Sequence, residues 1–195
     1  MSYYQELTLL QHEEVPLYAL WGKVYTQIHL ALTELQAALG TGKVGVAFPE
    51  YRFDAEAQSG HLGRKLRVFA DDAAVLQQLN LAQHLRRYAD YVQLSAVAAV
   101  PAEHGLACYA RVQVKSGAER ATRRLIKRHP ELNYETELAR LQALSVHSAL
   151  PFIQLNSLSS KQTFRLFIAK TAALTAQTGD FGSYGLSNTA TVPDF

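Results

Sequence analysis

Five basic side chains, Arg120, Arg123, Arg124, Lys127 and Arg128, recur at i, i+3, i+4, i+7 and i+8. At 100° per residue this spacing gathers them onto about 140° of one helix surface, with Leu125 and Ile126 on the other side. Like charges at i, i+4 repel by a few tenths of a kcal/mol per pair, and only Glu119 is near enough in sequence to offset them. A solvated face ordinarily mixes signs. The chemistry this face suits is attraction to phosphates, with a plain solvated basic face as the alternative. Upstream, Arg111 and Gln113 stand two apart, the spacing that sends both side chains to one face of a strand. A forked guanidinium and an amide there suit base edges, or are simply exposed. His29 sits at the border of an apolar helical stripe, where a lone histidine is usually a packing residue. Used chemically, an imidazole with its ordinary pKa of about 6.5 supplies a neutral base at pH 7. Ser157 lies in an Asn156-Ser157-Leu158-Ser159 turn, where serine commonly caps backbone groups. Phe164 and Tyr184 read equally well as core aromatics.

The charge of the whole chain says little, at +2. Its distribution says more. From Arg111 to Arg128 seven cations face one acid, a net +6, and the remainder holds twelve cations and sixteen acids, a net −4. A mildly acidic body with one concentrated basic element points to a polyanionic partner. The 195 residues make one domain or two small ones, long enough to bury a core. With 48% apolar and 18% charged residues the composition is globular, not disordered. No apolar stretch approaches the roughly 20 residues of a membrane span, and the N-terminal residues lack the pattern of a signal peptide. The single cysteine, Cys108, rules out an intrachain disulfide framework and a cysteine-rich zinc site. A reducing cytoplasm and no membrane association are the expectations. No carboxylate or Cys/His cluster has metal-ligand spacing, and no Gly-rich motif cradles a phosphate, so neither metal nor cofactor is expected.

These residues need elements to hold them. Tyr3–Leu9 alternates as a strand. After Pro16 a long helix places Leu17, Leu20, Val24, Ile28, Leu32, Leu35 and Leu39 in one stripe, until Gly40-Thr41-Gly42 stops it. Val44, Val46 and Phe48 alternate again. Arg52 to Gly63 reads as a polar loop, and Lys65–Phe69 as a strand. Asp71 and Asp72 open a helix carrying Ala74, Leu76, Leu79, Leu81, Leu85 and Tyr88, and Tyr91–Val100 is a fourth β-rich run. This βαββαβ order predicts an α+β protein beginning with a ferredoxin-like sheet and two helices on one face. Pro101 to Gly105 is the expected joint. Beyond it come a strand over Cys108–Val114 and a capping-box sequence, Ser116-Gly117-Ala118-Glu119, opening the basic helix. A second helix is expected from about Asn133 to Leu150, then strands over Phe152–Leu155 and Thr163–Ala169, and a Gly/Ser-rich tail.

Segments in this order also match a known family. They are Trp21-Gly22-Lys23, Ile28-His29-Leu30-Ala31-Leu32, Gly45-Val46-Ala47-Phe48-Pro49 and Gly63-Arg64-Lys65-Leu66-Arg67-Val68. Arg111-Val112-Gln113-Val114-Lys115-Ser116 then leads into the Arg-rich helix. Leu150-Pro151-Phe152, Phe164-Arg165-Leu166-Phe167-Ile168, Tyr184-Gly185-Leu186-Ser187 and Val192-Pro193-Asp194-Phe195 follow. The chain resembles, over nearly its whole length, the repeat-processing endoribonucleases of type I-F CRISPR systems.

The resemblance implies metal-independent cleavage of CRISPR precursor RNA at the 3′ base of each repeat hairpin. The upstream 2′-hydroxyl attacks, leaving a 2′,3′-cyclic phosphate and a 5′-hydroxyl. The enzyme then keeps its crRNA hairpin as a subunit of the interference complex, beside that complex's other subunits. It further implies a ferredoxin-like domain over 1–103 holding the catalytic histidine, and a C-terminal α/β domain over 104–195 laying its Arg-rich helix against the hairpin. By family position His29 deprotonates the 2′-hydroxyl, Ser157 holds the ribose, and Tyr184 orients His29. Arg111 and Gln113 read bases at the foot of the stem. Arg124 and Arg128 meet the stem, and Arg120, Arg123 and Lys127 meet phosphates. Lys115, His129 and Ser159 are further RNA contacts, and Phe164 stacks on a loop base. A departure from the family pattern is Thr122, which interrupts the arginine run. A non-catalytic RNA-binding module on the same sheet is the competing reading, and His29 separates the two, because a pure binder has no need of it. A small-molecule enzyme is disfavoured by the basic helix.

Overall fold

The computed structural model describes residues 1–113, 118–143, 149–157 and 162–195. Strand β1 (Tyr3–Leu9) leads to helix α1 (Leu17–Leu39), strand β2 (Gly45–Ala47), a hairpin of β3 (Arg52–Asp54) and β4 (Ser59–His61), and strand β5 (Lys65–Ala70). Helices α2 (Ala73–Leu79) and α3 (Leu81–His84) and a 3₁₀ segment at Arg86–Tyr91 precede strands β6 (Val92–Leu94) and β7 (Ala98–Ala99). These strands form an antiparallel sheet in the order β2-β5-β1-β6, with β7 also on β1. A second antiparallel sheet has the order β11-β8-β10-β9, built from β8 (Gly105–Val112), β9 (Phe152–Asn156), β10 (Thr163–Ala173) and β11 (Val192–Asp194). Between β8 and β9 lie α4 (Ala118–Arg128) and α5 (Tyr134–Ala143). The protein is thus α+β, with its sheets antiparallel.

The apolar stripe on α1 explains the packing. Leu20, Val24, Ile28, Leu32 and Leu35 are buried, and they belong to one core with Leu7 and Leu9 of β1 and Leu66 and Val68 of β5. Each such side chain contributes about 1.5–3 kcal/mol by leaving water. That core continues into the second sheet through Tyr109, Ile153, Leu155, Leu166 and Ile168. The two sheets therefore share α1 as a common support. The helix approaches β9 closely at Gly22, where an added Cβ would lie 2.6 Å from the Gln154 carbonyl oxygen. Trp21 beside it donates its indole N–H to the Gly63 carbonyl at 2.9 Å.

Four local differences from the sequence reading have physical causes. The stretch over 52–63 forms the β3–β4 hairpin instead of a loop; all its strand residues are exposed, so no apolar alternation announces it. The helix that Asp72 caps, accepting from the Ala74 N–H at 2.9 Å, does not run on to Tyr88. It breaks at Asn80, whose left-handed φ of 44° is one asparagine tolerates better than most residues. The run Tyr91–Val100 splits into β6 and β7 because the Ser95 hydroxyl takes the Glu6 N–H at 2.9 Å, a side chain standing in for the ladder. Downstream, Ala149 and Leu150 are not helical, and the residue before Pro151 is sterically kept from the α region. The segment 144–148, and Ser116 and Gly117 of the expected capping box, lie outside the described residues. Among the described residues no helix is long and apolar enough to cross a membrane.

Candidate functional site

His29 follows buried Ile28 on α1 and is itself half-buried at the edge of the apolar stripe. The loop that meets it comes from the far end of the chain. Gly182 donates to the Leu186 carbonyl at 2.9 Å and Gly185 to the Gly182 carbonyl at 2.8 Å, closing a tight turn. Gly185 has φ 68°, and a Cβ there would stand 2.3 Å from Val46 Cγ2. Its carbonyl accepts from the Val46 N–H at 2.8 Å, so the turn is tied to β2. From α1, the buried Tyr25 hydroxyl donates to the Tyr184 carbonyl at 2.8 Å. Burial, helped by the neighbouring Tyr184, pushes the Tyr25 phenol far above its ordinary pKa, which keeps the donor protonated.

This turn presents two things to His29. The Tyr184 ring stacks on the imidazole, with centroids 4.2 Å apart and planes 13° off parallel. The Ser183 carbonyl oxygen lies 2.8 Å from Nδ1. A carbonyl oxygen only accepts, so Nδ1 carries the proton. In the neutral ring that assignment leaves the lone pair on Nε2, the arrangement a general base requires.

The stack does not end at Tyr184. The Arg111 guanidinium sits 5.4 Å from the Tyr184 ring centroid and 5.9 Å from that of Phe164. Arg111 pairs with Ile168 across β8 and β10, and Phe164 with Leu155 across β10 and β9. Both belong to the face of the second sheet that turns toward α1, since Ile168 and Leu155 are core residues. His29, Tyr184, Arg111 and Phe164 thus form a continuous row. Ser157 follows the last residue of β9, the strand against which α1 packs, and its N–H donates to the Gln162 carbonyl at 2.9 Å. Gln113 lies one residue past the end of β8, not inside the strand with Arg111.

The cations of α4 form a separate group. Arg120, Arg123, Arg124, Lys127 and Arg128 are all exposed, while Thr122 is fully buried and Leu125 and Ile126 partly so. The helix packs on α5 by that second face. The Thr122 hydroxyl donates to the Ala118 carbonyl at 2.7 Å, so the residue that interrupts the arginine run serves the buried side. Arg123 pairs with Glu119 at 3.5 Å. His129, just beyond the helix, has Nδ1 3.2 Å from Glu131 Oε1. Lys115 and Ser159 lie outside the described residues. Among the described residues no group of three or more His, Cys, Asp or Glu side chains is placed to hold a metal. Burial pushes the Cys108 thiol up, and its Sγ–H points at the Ser187 carbonyl at 3.1 Å.

Sequence reasoning did not single out Tyr25, the Ser183 carbonyl or the Val46–Gly185 tie. Tyr25 is one helical turn before His29, a signal that was legible. The carbonyl is a backbone atom and leaves no trace in residue type.

The profile of the family described as CRISPR-associated protein (Cas_Csy4) matches residues 4–195. The chain is 34% identical over 200 residues to "CRISPR-associated endonuclease Cas6/Csy4" of Escherichia coli (strain UTI89 / UPEC), covering 100% of both chains. It is 35% identical over 199 residues to the protein of the same name from Pseudomonas aeruginosa (strain UCBPP-PA14), again over 100% of both. A solved structure titled "An RAMP protein binding different RNA substrates" aligns with 98% of this chain and 100% of its own at a TM-score of 0.36 and 9% identity, too loose a likeness to carry an argument. With its full length aligned to two such relatives and nearly all of it matched by the profile, this chain belongs to the Cas_Csy4 family of CRISPR-associated proteins.

Proposed function

We propose that this protein is a metal-independent endoribonuclease that cuts CRISPR precursor RNA at the 3′ base of its repeat hairpin. The observation that carries this reading is the Nδ1 contact of His29 with the Ser183 carbonyl at 2.8 Å, which leaves Nε2 as the basic nitrogen. Nε2 removes the proton from the 2′-hydroxyl upstream of the scissile phosphate. The 2′-oxygen bonds to phosphorus, the bond to the 5′-oxygen breaks, the departing oxygen takes a proton from solvent while His29 returns its own to solvent, and the products are a 2′,3′-cyclic phosphate and a 5′-hydroxyl. The nucleophile belongs to the substrate, so no water has to be activated. Ser157 holds the ribose so that attack is in line, and such positioning lowers the barrier by geometry alone. Tyr184 fixes the plane of the imidazole.

The RNA contacts fall on the second half of the chain. Arg111 and Gln113 read base edges at the foot of the stem. Lys115, Arg120, Arg123, Arg124, Lys127, Arg128, His129 and Ser159 meet the stem and its phosphates, and Phe164 stacks on an unpaired base. The strand order β2-β5-β1-β6 supports reading 1–103 as a ferredoxin-like domain and 104–195 as the hairpin-binding domain. The +6 charge of the segment from Arg111 to Arg128 supports retention of the product hairpin, and with it membership of the interference complex in the cytoplasm.

The test is incubation with the cognate repeat RNA in EDTA, followed by end-group analysis. The expected result is cleavage that persists in chelator and leaves cyclic phosphate. His29→Ala should abolish cutting while hairpin affinity stays within a few-fold. Activity lost in chelator and restored by magnesium would overturn the mechanism. A His29→Ala protein that cuts at the wild-type rate would remove the base, and a wild-type protein that binds without cutting would be a recognition module only.

A further inference from the structure

From the row His29, Tyr184, Arg111, Phe164 we infer that Arg111 is a positioning residue for the catalytic histidine, acting through Tyr184, in addition to reading RNA. The inference rests on the proposed role of His29. Arg111 is an exposed side chain at the end of β8. A long exposed arginine ordinarily samples many rotamers. Here its guanidinium lies 5.4 Å from one ring and 5.9 Å from another, both inside the roughly 6 Å reach of a cation–π contact. The Tyr184 ring has His29 as one stacking neighbour, at 4.2 Å, and the Arg111 guanidinium as another.

The backbone contacts of the turn do not determine the ring's own orientation. The Tyr25 hydroxyl, the Val46 N–H and the Gly182–Gly185 turn hold main-chain atoms. They fix where the Tyr184 side chain starts, not where its ring lies about χ1 and χ2. The imidazole and the guanidinium both meet the ring, which also packs against the edge of the hydrophobic core. Phe164 supports Arg111 in turn, and its strand position opposite core Leu155 anchors the row in the second sheet. The same guanidinium is offered to RNA. A base that engages Arg111 therefore meets a group already touching the stack that aims His29, and recognition of the stem is coupled to the geometry of the base.

Three proteins, wild type, Arg111→Ala and Arg111→Lys, are compared in two measurements. The first is the His29 ring proton shift in the RNA-free protein, which the Tyr184 ring current displaces upfield. The second is the single-turnover cleavage rate at saturating repeat RNA, where weaker binding is removed. The expected result for Arg111→Ala is a downfield move of the His29 ring signals and a rate lower by about 5- to 20-fold. Arg111→Lys, which restores the charge without the flat fork, should recover part of both. Side-chain exposure at position 111 makes the fold insensitive to either change, and a matching melting temperature confirms it. The inference is overturned if either measurement stays at the wild-type value in Arg111→Ala. A weaker affinity with unchanged saturating rate would leave Arg111 as a reader of RNA only. The ring shift needs no RNA, so it separates failure of this inference from failure of the proposed reaction, which would show instead as full activity in His29→Ala.

Discussion

Gly185 is the residue on which the candidate site turns. It alone supplies the left-handed φ of 68° that brings Tyr184 back over His29, and its missing side chain leaves room for Val46. Gly185→Ala combines a strained backbone, about 1 kcal/mol or more for a non-glycine residue, with a contact of 2.3 Å that something must relieve. The expected outcome is a stability loss of about 1–3 kcal/mol in chemical denaturation and a larger proportional loss of single-turnover cleavage, because the displaced turn carries both Tyr184 and the Ser183 carbonyl. A variant that loses stability but keeps the wild-type rate would show that the turn is scaffold and nothing more. At this scale the sequence was legible unevenly. His29 stood at the edge of a stripe that Ile28 and Leu32 defined, and only the surrounding Ile-His-Leu-Ala-Leu segment distinguished it from a packing residue. Of its partners, 154 and 155 positions away, Tyr184 could be named by family position and the Ser183 carbonyl could not, and no local pattern marks either, since contact between distant residues is settled by the fold.

Helices with strong patterns were legible as elements, and exposed strands were not. The stripe of α1 gave its span from Leu17 to Leu39, because seven apolar residues at a 3.6 period leave one face to bury. The β3–β4 hairpin has no buried face and therefore no period to read. For α4 the sign of charge, not hydrophobicity, was the signal, and Thr122 with Leu125 and Ile126 marks the face that α5 covers. That division of faces carries a prediction. Each phosphate neutralised adds about 0.7 to 0.9 to the slope of log affinity against log salt, so about five contacts give a slope near −4. Arg124→Ala and Arg128→Ala should each weaken hairpin binding and, if their contacts on the stem are to phosphates, flatten the slope by about one. Arg111→Ala should instead cost roughly 1–3 kcal/mol of affinity, relax preference at one base position and change the slope less. Equal slopes in all four proteins would mean that α4 is a solvated face and that the RNA is held elsewhere.

Across the whole molecule, the two sheets hold together through one core and through the end of the chain. β11 pairs with β8, and Phe195 beyond it returns to the first sheet. Its ring meets Tyr4 edge-on at 5.2 Å and Phe69 at 6.2 Å. Arg67 on β5 covers that ring at 4.0 Å and donates to the Phe195 main-chain oxygen. Glu6 on β1 orients Arg67, with its carboxylate 2.7 Å from the guanidinium Nε and 2.8 Å from Lys65 Nζ. Burial by itself would push the Glu6 carboxyl up, but the hydrogen bonds and charges of Lys65 and Arg67 outweigh it and hold the pKa below the usual carboxylate value. The sign of the linkage follows. A group whose pKa is lower folded than unfolded stabilises above its unfolded value, near 4.5 for this carboxyl, and loses that contribution as pH falls through the folded value. Glutamine at position 6 keeps one acceptor oxygen, so Lys65 or Arg67 loses a charge-assisted partner, worth about 1.5–3 kcal/mol when both groups are well ordered. Because both sheets share the core, denaturation should remain one transition, and Glu6→Gln should shift its midpoint without splitting it. The variant should be less stable than the wild type by about 1–2 kcal/mol at pH 7, and the two curves should converge as pH falls through the lowered folded pKa of Glu6, where the wild-type carboxyl becomes protonated and equally uncharged. A gap that stays constant from pH 7 down through protonation of the wild-type carboxyl would place the loss in shape and not in charge, and would remove Glu6 as the clamp that holds Arg67 against the end of the chain.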